Sequence, residues 1–189
     1  MKLIEILEQN PDLVHSNDPS KGTDKHNDHD YIQGFYEEAF KEYQDKEITF
    51  VEIGIWAGGS LNLWSKYFTN AKIYGLEVVD RIHPDNKNLP NVEIIFENAY
   101  SDEMSKRFGP IDIVVDDGPH TLSSQVECLN FYLPRVKEGG ILIIEDVQDT
   151  SWFDVLAASV PEELQSNIEC VDIRKNRGKA DDLIFVVRK

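Results

Sequence analysis

Thr49-Phe50-Val51-Glu52-Ile53-Gly54-Ile55-Trp56-Ala57-Gly58-Gly59-Ser60 decides the reading of this chain. A short apolar run leads into a glycine-rich turn, and Ser60 then opens a stretch with helical spacing that lasts to Tyr67. Strand, turn and helix start in that order bring a ligand to the carboxyl edge of a sheet. A dinucleotide turn needs a second glycine two residues after the first, so that pyrophosphate can approach the backbone. Trp56 holds that position, so the turn suits a ligand without phosphate, with Glu52 placed to anchor an ammonium group.

Outward from this turn, apolar runs at Lys72 to Glu77, Val92 to Phe96, Ile111 to Val115 and Ile141 to Ile144 read as buried strands. Ser60 to Tyr67, Ser101 to Phe108 and Leu122 to Tyr132 read as helices, with Trp64, Leu61, Phe131 and Tyr132 expected in the core. Gly109-Pro110 and Gly139-Gly140 mark turns before strands. Strands alternating with helices imply right-handed crossovers and a parallel sheet. Ile168 to Arg174 and Leu183 to Arg188 are joined by Lys175 to Asp182, too short for a crossover helix, and should pair antiparallel. The expected α/β fold is a mostly parallel seven-stranded sheet with a C-terminal antiparallel hairpin and helices on both faces. That Rossmann-like arrangement resembles the class I methyltransferases.

Upstream, Leu3 to Leu7 is a short amphipathic stretch, followed to about residue 30 by a polar segment without periodicity that reads as an ordered loop or lid. From Tyr31 the residues Ile32, Phe35, Tyr36, Ala39, Phe40 and Tyr43 form one apolar stripe, an amphipathic helix preceding the first strand. The organisation expected is a helical cap over residues 1–44 and a cofactor-binding domain over 45–189.

With 189 residues, 41% hydrophobic and 29% charged, the chain is globular in composition and has room for one domain. It carries 35 Asp and Glu against 19 Lys and Arg, a formal charge of -16. That field repels phosphate backbones and anionic lipid, so neither nucleic acid nor membrane is an expected partner. The basic run Arg174, Lys175, Arg177 and Lys179 reads as a solvated hairpin. Cys128 and Cys170 have neither metal-ligand spacing nor a disulfide framework, and both are expected to be buried thiols. The N-terminal MKLIEILEQN has charges at Lys2 and Glu5 and no long apolar core, and no stretch approaches the ~18 apolar residues of a membrane span. A cytoplasmic location is expected.

S-adenosylmethionine (SAM) carries no phosphate and an ammonium pole, which fits the turn formed by Glu52, Gly54 and Ser60. Glu77, ending the second strand, is placed to accept both ribose hydroxyls. Strand four ends Asp116-Asp117-Gly118-Pro119-His120 and strand five ends Glu145-Asp146. Successive strand residues face opposite ways, so one of Asp116 and Asp117 should face the cofactor and the other the substrate. Neighbouring strands lie about 4.8 Å apart, so three or more carboxylates crowd one edge. A hard divalent cation resolves such repulsion, and Asp117, Glu145 and Asp146 are the expected Mg²⁺-like site; the alternative is that these acids are simply solvated. His120, near a helix start whose dipole favours neutral imidazole, is the expected general base.

Further motifs carry a family resemblance from about Gly22 to Asp149: Gly22-Thr23-Asp24-Lys25 with His29, Tyr31, Tyr36 and Phe40, then Glu52-Ile53-Gly54, Asp116 to His120, and Ile144-Glu145-Asp146-Val147-Gln148. In these the chain resembles the metal-dependent sugar O-methyltransferases of macrolide biosynthesis. The resemblance implies Asp117, Glu145 and Asp146 as metal ligands, His120 as catalytic base, Glu77 and Asp116 as cofactor contacts, and the Gly22–Lys25 block packed over the cofactor. Where relatives carry Gly-Asp-Gln-Ser-Asp, this chain has Asn98-Ala99-Tyr100-Ser101-Asp102, so an acid is missing at Ala99 and Tyr100 and Ser101 are left for the cofactor. Pro119 replaces a common serine and stiffens the approach to His120. The function implied is SAM-dependent, Mg²⁺-assisted O-methylation of a sugar or polyol hydroxyl, with a homo-oligomer as a further expectation. Alternatives are a metal-independent small-metabolite methyltransferase and a SAM-binding protein without chemistry. Trp152 is placed either to close over the acceptor or to pack into the next helix.

Overall fold

The computed structural model describes residues 1–189. Seven strands, β1 (Thr49–Ile53), β2 (Lys72–Glu77), β3 (Val92–Phe96), β4 (Ile111–Asp116), β5 (Val136–Ile144), β6 (Ile168–Asp172) and β7 (Leu183–Arg188), form one sheet in the order β3-β2-β1-β4-β5-β7-β6. Pairings from β3 across to β5 are parallel, while β7 runs antiparallel to both β5 and β6. This is the expected architecture. The central strand β4 is buried along its whole length because both faces are covered, which is why it reads as a continuous apolar run. The chain reverses its direction of winding between β1 and β4, and that crevice is where an open α/β sheet receives a ligand.

Successive residues of the central strands supply two separate cores. Phe50, Ile113, Val115, Ile141 and Ile143 face α3 (Gly59–Tyr67) and the N-terminal segment, in which α1 (Leu3–Gln9) and the buried Tyr31, Ile32, Tyr36 and Phe40 lie. Val51, Ile53, Val114, Leu142 and Ile144 face the other way, against α4 (Asp102–Ser105), α5 (Leu122–Tyr132) and α6 (Trp152–Ala158). On the first face Tyr36, Phe40, Phe50, Trp64 and Phe68 interlock, with the Phe40 and Trp64 ring centroids 5.4 Å apart. These rings bind the N-terminal residues to β1 and α3 as part of the same core.

Several elements differ from expectation for local reasons. The stripe from Ile32 winds as a π-helical turn, Ile32–Tyr36, before α2 (Glu37–Ala39), which keeps its apolar residues on one buried face. Gly139-Gly140 is a bend inside β5, not a turn before it: Gly139 takes φ +76° and the C-terminal Lys189 exchanges backbone hydrogen bonds with both glycines. The stretch Ser101 to Phe108 breaks into α4 and a 3₁₀ turn, and the β6–β7 connection contains a one-turn helix, α7 (Arg174–Arg177). Cys128 is buried as expected, but Cys170 is exposed, because β6 is the edge strand and only one of its sides is covered. Trp64 and Tyr132 are fully buried, whereas Phe131 and Trp152 are half-buried against the second core, with Trp152 opening α6. No helix is long and apolar enough to cross a membrane.

Candidate active site

A cleft of about 540 Å³ opens at the carboxyl ends of β1, β2 and β4, a size suited to a nucleoside-bearing small molecule. Gly54 takes φ +79°, and a side chain there would collide with the Asp117 carbonyl, so the β1 turn can lie against the end of β4 only with glycine. Trp56 is also left-handed, at φ +45°, and its ring is 61% exposed with the Arg81 guanidinium 4.6 Å from its centroid. A bulky residue in that conformation costs about 1–2 kcal/mol. Trp56 forms part of the cleft wall with Glu77 and Val78, and its amide donates to Glu77 Oε2 at 3.3 Å. The positive φ is not readable from composition, and this residue was expected only as an obstacle.

Of the residues anticipated for cofactor, Gly54, Ser60, Glu77 and Tyr100 line the cleft. Glu52 lies one layer deeper, fully buried, and accepts from the Ser60 hydroxyl at 2.9 Å. Burial lifts its pKa to about 7 against the nearby Lys25 charge. Asp116 is also buried and accepts from the Tyr100 hydroxyl at 2.7 Å, with burial lifting it to about 7. Gly118 permits that contact, since a Cβ there would overlap the Tyr100 oxygen. Ser101 is turned away from the cleft wall: its hydroxyl accepts from the Met104 amide and caps α4. Asn98 and Ala99 complete the wall beside Tyr100.

Asp116 and Asp117 do separate as the strand alternation requires. Asp117 faces the opposite side from Asp116, where it meets Lys25 and His120. His120 Nε2 lies 3.1 Å from Asp117 Oδ1 and 3.4 Å from Asp146 Oδ2, and these three can offer ligand atoms within 4.8 Å of one another. Glu145 turns elsewhere, to Lys25, and Asp146 is held from behind by the Tyr31 hydroxyl. Asp117 lines the cleft; Glu145 and Asp146 are buried beneath its floor.

The carboxylates around His120 oppose the neutral form expected at a helix start. Burial pulls its pKa down, but the hydrogen bond and charge of Asp117 with the charge of Asp146 outweigh it and hold the imidazole at about 9. Two carboxylates at contact distance outweigh a helix dipole that acts over one turn.

Lys25 is the residue the sequence did not place. It is 2% exposed, its Nζ lies 2.6 Å from Asp117 Oδ2 and 3.9 Å from Glu52 Oε1, and it also bonds Glu145 Oε2. Burial alone would deprotonate it, and the charges of Asp117, Glu145 and Glu52 hold it well above its ordinary value instead. Even so, Glu52 Oε1, Glu145 Oε1 and Asp116 Oδ2 remain buried without a hydrogen-bond partner. Two of these oxygens have an equally unpaired buried donor of this chain beside them, Trp64 Nε1 near Glu52 and the Tyr36 hydroxyl near Glu145.

Sheet order, a glycine turn at the winding reversal and an acid ending β2 together define a nucleoside-cofactor fold of the methyltransferase type. The family model described as "Methyltransferase domain" matches residues 51–147, and the chain belongs to that family. It is 32% identical over 125 residues to mycinamicin VI 2''-O-methyltransferase of Micromonospora griseorubida, covering 62% of this chain and 31% of that protein. It is 34% identical over 143 residues to 8-demethyl-8-alpha-L-rhamnosyl tetracenomycin-C 2'-O-methyltransferase of Streptomyces olivaceus, covering 69% and 36%. The chain thus spans about a third of the length of these curated relatives. Among solved structures, MycE methyltransferase from the mycinamycin biosynthetic pathway, in complex with Mg, SAH and mycinamycin VI, superposes with a TM-score of 0.66 at 23% identity. That match covers 85% of this chain and 49% of MycE, and shows a shared fold.

Proposed function

We propose that this protein transfers a methyl group from SAM to a hydroxyl of a sugar or sugar-containing small molecule, with a divalent cation, Mg²⁺ by the chemistry of its oxygen donors, beside the acceptor. The carrying observation is the pair Asp117 and Asp146 converging with His120 at the cleft floor, next to the buried, unpartnered Glu145 Oε1. Carboxylate oxygens suit a hard cation, with Asp117 and Asp146 the converging pair and His120 kept as base. The relatives named for sugar O-methylation of macrolide and tetracenomycin compounds, and a structural neighbour described with Mg and SAH, support the reading. A net charge of -16 favours an uncharged small acceptor over a phosphate backbone.

The turn at Gly54 lets the cofactor's amino-acid end approach the backbone, and Glu52, one layer below, sets the charge beneath its ammonium while holding the Ser60 hydroxyl in the cleft wall. Glu77 accepts the ribose hydroxyls, Tyr100, held from behind by Asp116, bounds the adenosine end, and residues 22–25 roof the cleft. SAM supplies an electrophilic methyl group on a sulfonium. Asp117, Asp146 and Glu145 would hold the cation, whose charge lowers the pKa of a neighbouring hydroxyl and offsets the carboxylates that keep His120 protonated. As the acceptor oxygen bonds to the methyl carbon and the carbon–sulfur bond breaks, the hydroxyl proton passes to His120 Nε2.

The test is turnover of SAM against a panel of glycosides and polyols, with and without excess chelator. Chelation is expected to stop transfer and added Mg²⁺ to restore it. His120→Ala is expected to lose turnover by 10²-fold or more, about the contribution of general base catalysis, while binding S-adenosylhomocysteine (SAH) as before. Full turnover in excess chelator would remove the cation and leave a metal-independent methyltransferase, with the acids serving Lys25 and His120 alone.

A further inference from the structure

We propose that Lys25 is a positioning residue, a permanent internal counter-cation that ties one oxygen of Asp117 to one of Glu145 and so preforms the carboxylate floor of the site before any ion or substrate arrives. This deepens the functional reading above, resting on it for the use to which these acids are put. Asp117 follows β4 and Glu145 follows β5, so the two acids come from neighbouring strand ends and repel one another in a water-poor setting. Left alone, such a pair relaxes by taking up a proton or by turning one member away. The ammonium of Lys25 removes that choice by bonding Asp117 Oδ2 at 2.6 Å and Glu145 Oε2, with Glu52 within 3.9 Å.

The lysine uses only one oxygen of each acid. Asp117 Oδ1 remains directed to His120 Nε2 at 3.1 Å, and Glu145 Oε1 takes no bond from Lys25, with the buried Tyr36 hydroxyl nearby. The charge count supports the same role. With all three ionised, Asp117, Glu145 and Asp146 carry three negative charges, which Lys25 and one divalent cation would balance once His120 is neutral, as its role as base requires, so charge developing on an acceptor oxygen would not face a net negative floor.

The backbone delivers the lysine to this point by close packing. Thr23 exchanges hydrogen bonds with Leu13 and His15 at 2.7 and 2.9 Å, the Asn86 amide holds the Lys21 carbonyl at 3.0 Å, and the Lys25 carbonyl accepts from the Ile32 amide at 3.0 Å. A side chain at Gly59 would overlap the Gly22 carbonyl, so the loop rests directly on the start of α3. Asp117 and Glu145 are 92 and 120 residues away in sequence, so the clamp also fastens this N-terminal loop over the cleft.

The test compares wild type, Lys25→Met and Lys25→Arg by thermal melting in EDTA and by direct Mn²⁺ titration followed by electron paramagnetic resonance. Removing one partner of a buried ion network is strongly destabilising, so Lys25→Met is expected to melt roughly 10 °C or more below wild type in EDTA. With a positive charge gone from beside the acids, it should bind Mn²⁺ at least about tenfold more tightly and regain much of its melting temperature when Mn²⁺ is added. Lys25→Arg, which keeps the charge, should recover most of the loss in EDTA and bind Mn²⁺ as wild type does. If Lys25→Met does not fold, the Lys25→Met/Glu145→Gln double variant, lacking one charge of each sign, should fold and melt cooperatively. Overturning results are a Lys25→Met melting temperature within about 2 °C of wild type, unchanged or weaker Mn²⁺ binding, or a double variant no more stable than the single one. A wild type that binds no Mn²⁺ sinks the divalent-cation reading alone, and the EDTA melting comparison then decides the role of Lys25.

Discussion

Replacing Asp116 by asparagine should change how the stability of this protein depends on pH. The Asp116 carboxyl is 2% exposed, its Oδ1 accepts from Tyr100, and its Oδ2 has no partner, so burial raises its pKa from 3.8 to about 7. A carboxyl raised on folding stays protonated in the native state between those two values while the unfolded chain has already lost its proton. The native state therefore binds more protons at this group, and its contribution to stability is fully present below pH 3.8 and is lost as pH rises toward 7. Integrated over that window the loss is about 4 kcal/mol at most. Glu52, lifted to about 7, and Asp146, lifted to about 6, slope the same way, chiefly through burial. An amide at position 116 keeps an acceptor for Tyr100 and does not titrate. It adds a fixed cost from an unmatched N–H, but the slope is what reports on the carboxyl. Urea unfolding in EDTA at several pH values from 5 to 8 is expected to show Asp116→Asn gaining on wild type by about 2–3 kcal/mol across the range. Parallel curves, with the variant offset equally at every pH, would refute the reasoning and place the Asp116 proton in solvent.

Glu77→Ala should weaken SAH binding by roughly 10- to 100-fold, the worth of charge-assisted hydrogen bonds to two hydroxyls, while leaving the melting temperature within a few degrees; calorimetric titration reads it directly. Gly54→Ala should lower the urea midpoint by the equivalent of about 2 kcal/mol or more, because the new methyl meets the Asp117 carbonyl and the left-handed backbone disfavours it. A wild-type midpoint in that variant would mean the β1 turn can move off the end of β4.

The strands were legible because each central one is covered on both faces, so burial writes itself into the sequence as an apolar run bounded by turn residues. The limits expected for β2, β3 and β7 coincide with those observed, whereas β5 begins earlier because a glycine pair that usually ends a strand is here bent within one. The acids at the ends of β2, β4 and β5 were likewise readable, since each is local to its own strand, and alternation correctly sent Asp116 and Asp117 to opposite sides. Exposed Cys170 was misjudged because apolar alternation in β6 does not reveal that its outer edge lacks a neighbour.

Order along the chain alone determined the α/β alternation, the antiparallel hairpin, the glycine turn and the supply of carboxylates to one edge, because each is decided by residues within one or two elements of each other. Only the tertiary structure decided which of those carboxylates face one another, that His120 sits between two of them, and that Lys25 lies among the rest. The placing of Lys25 depends on contacts across 92 and 120 residues and on exclusion of water, and neither leaves a periodic trace in the sequence.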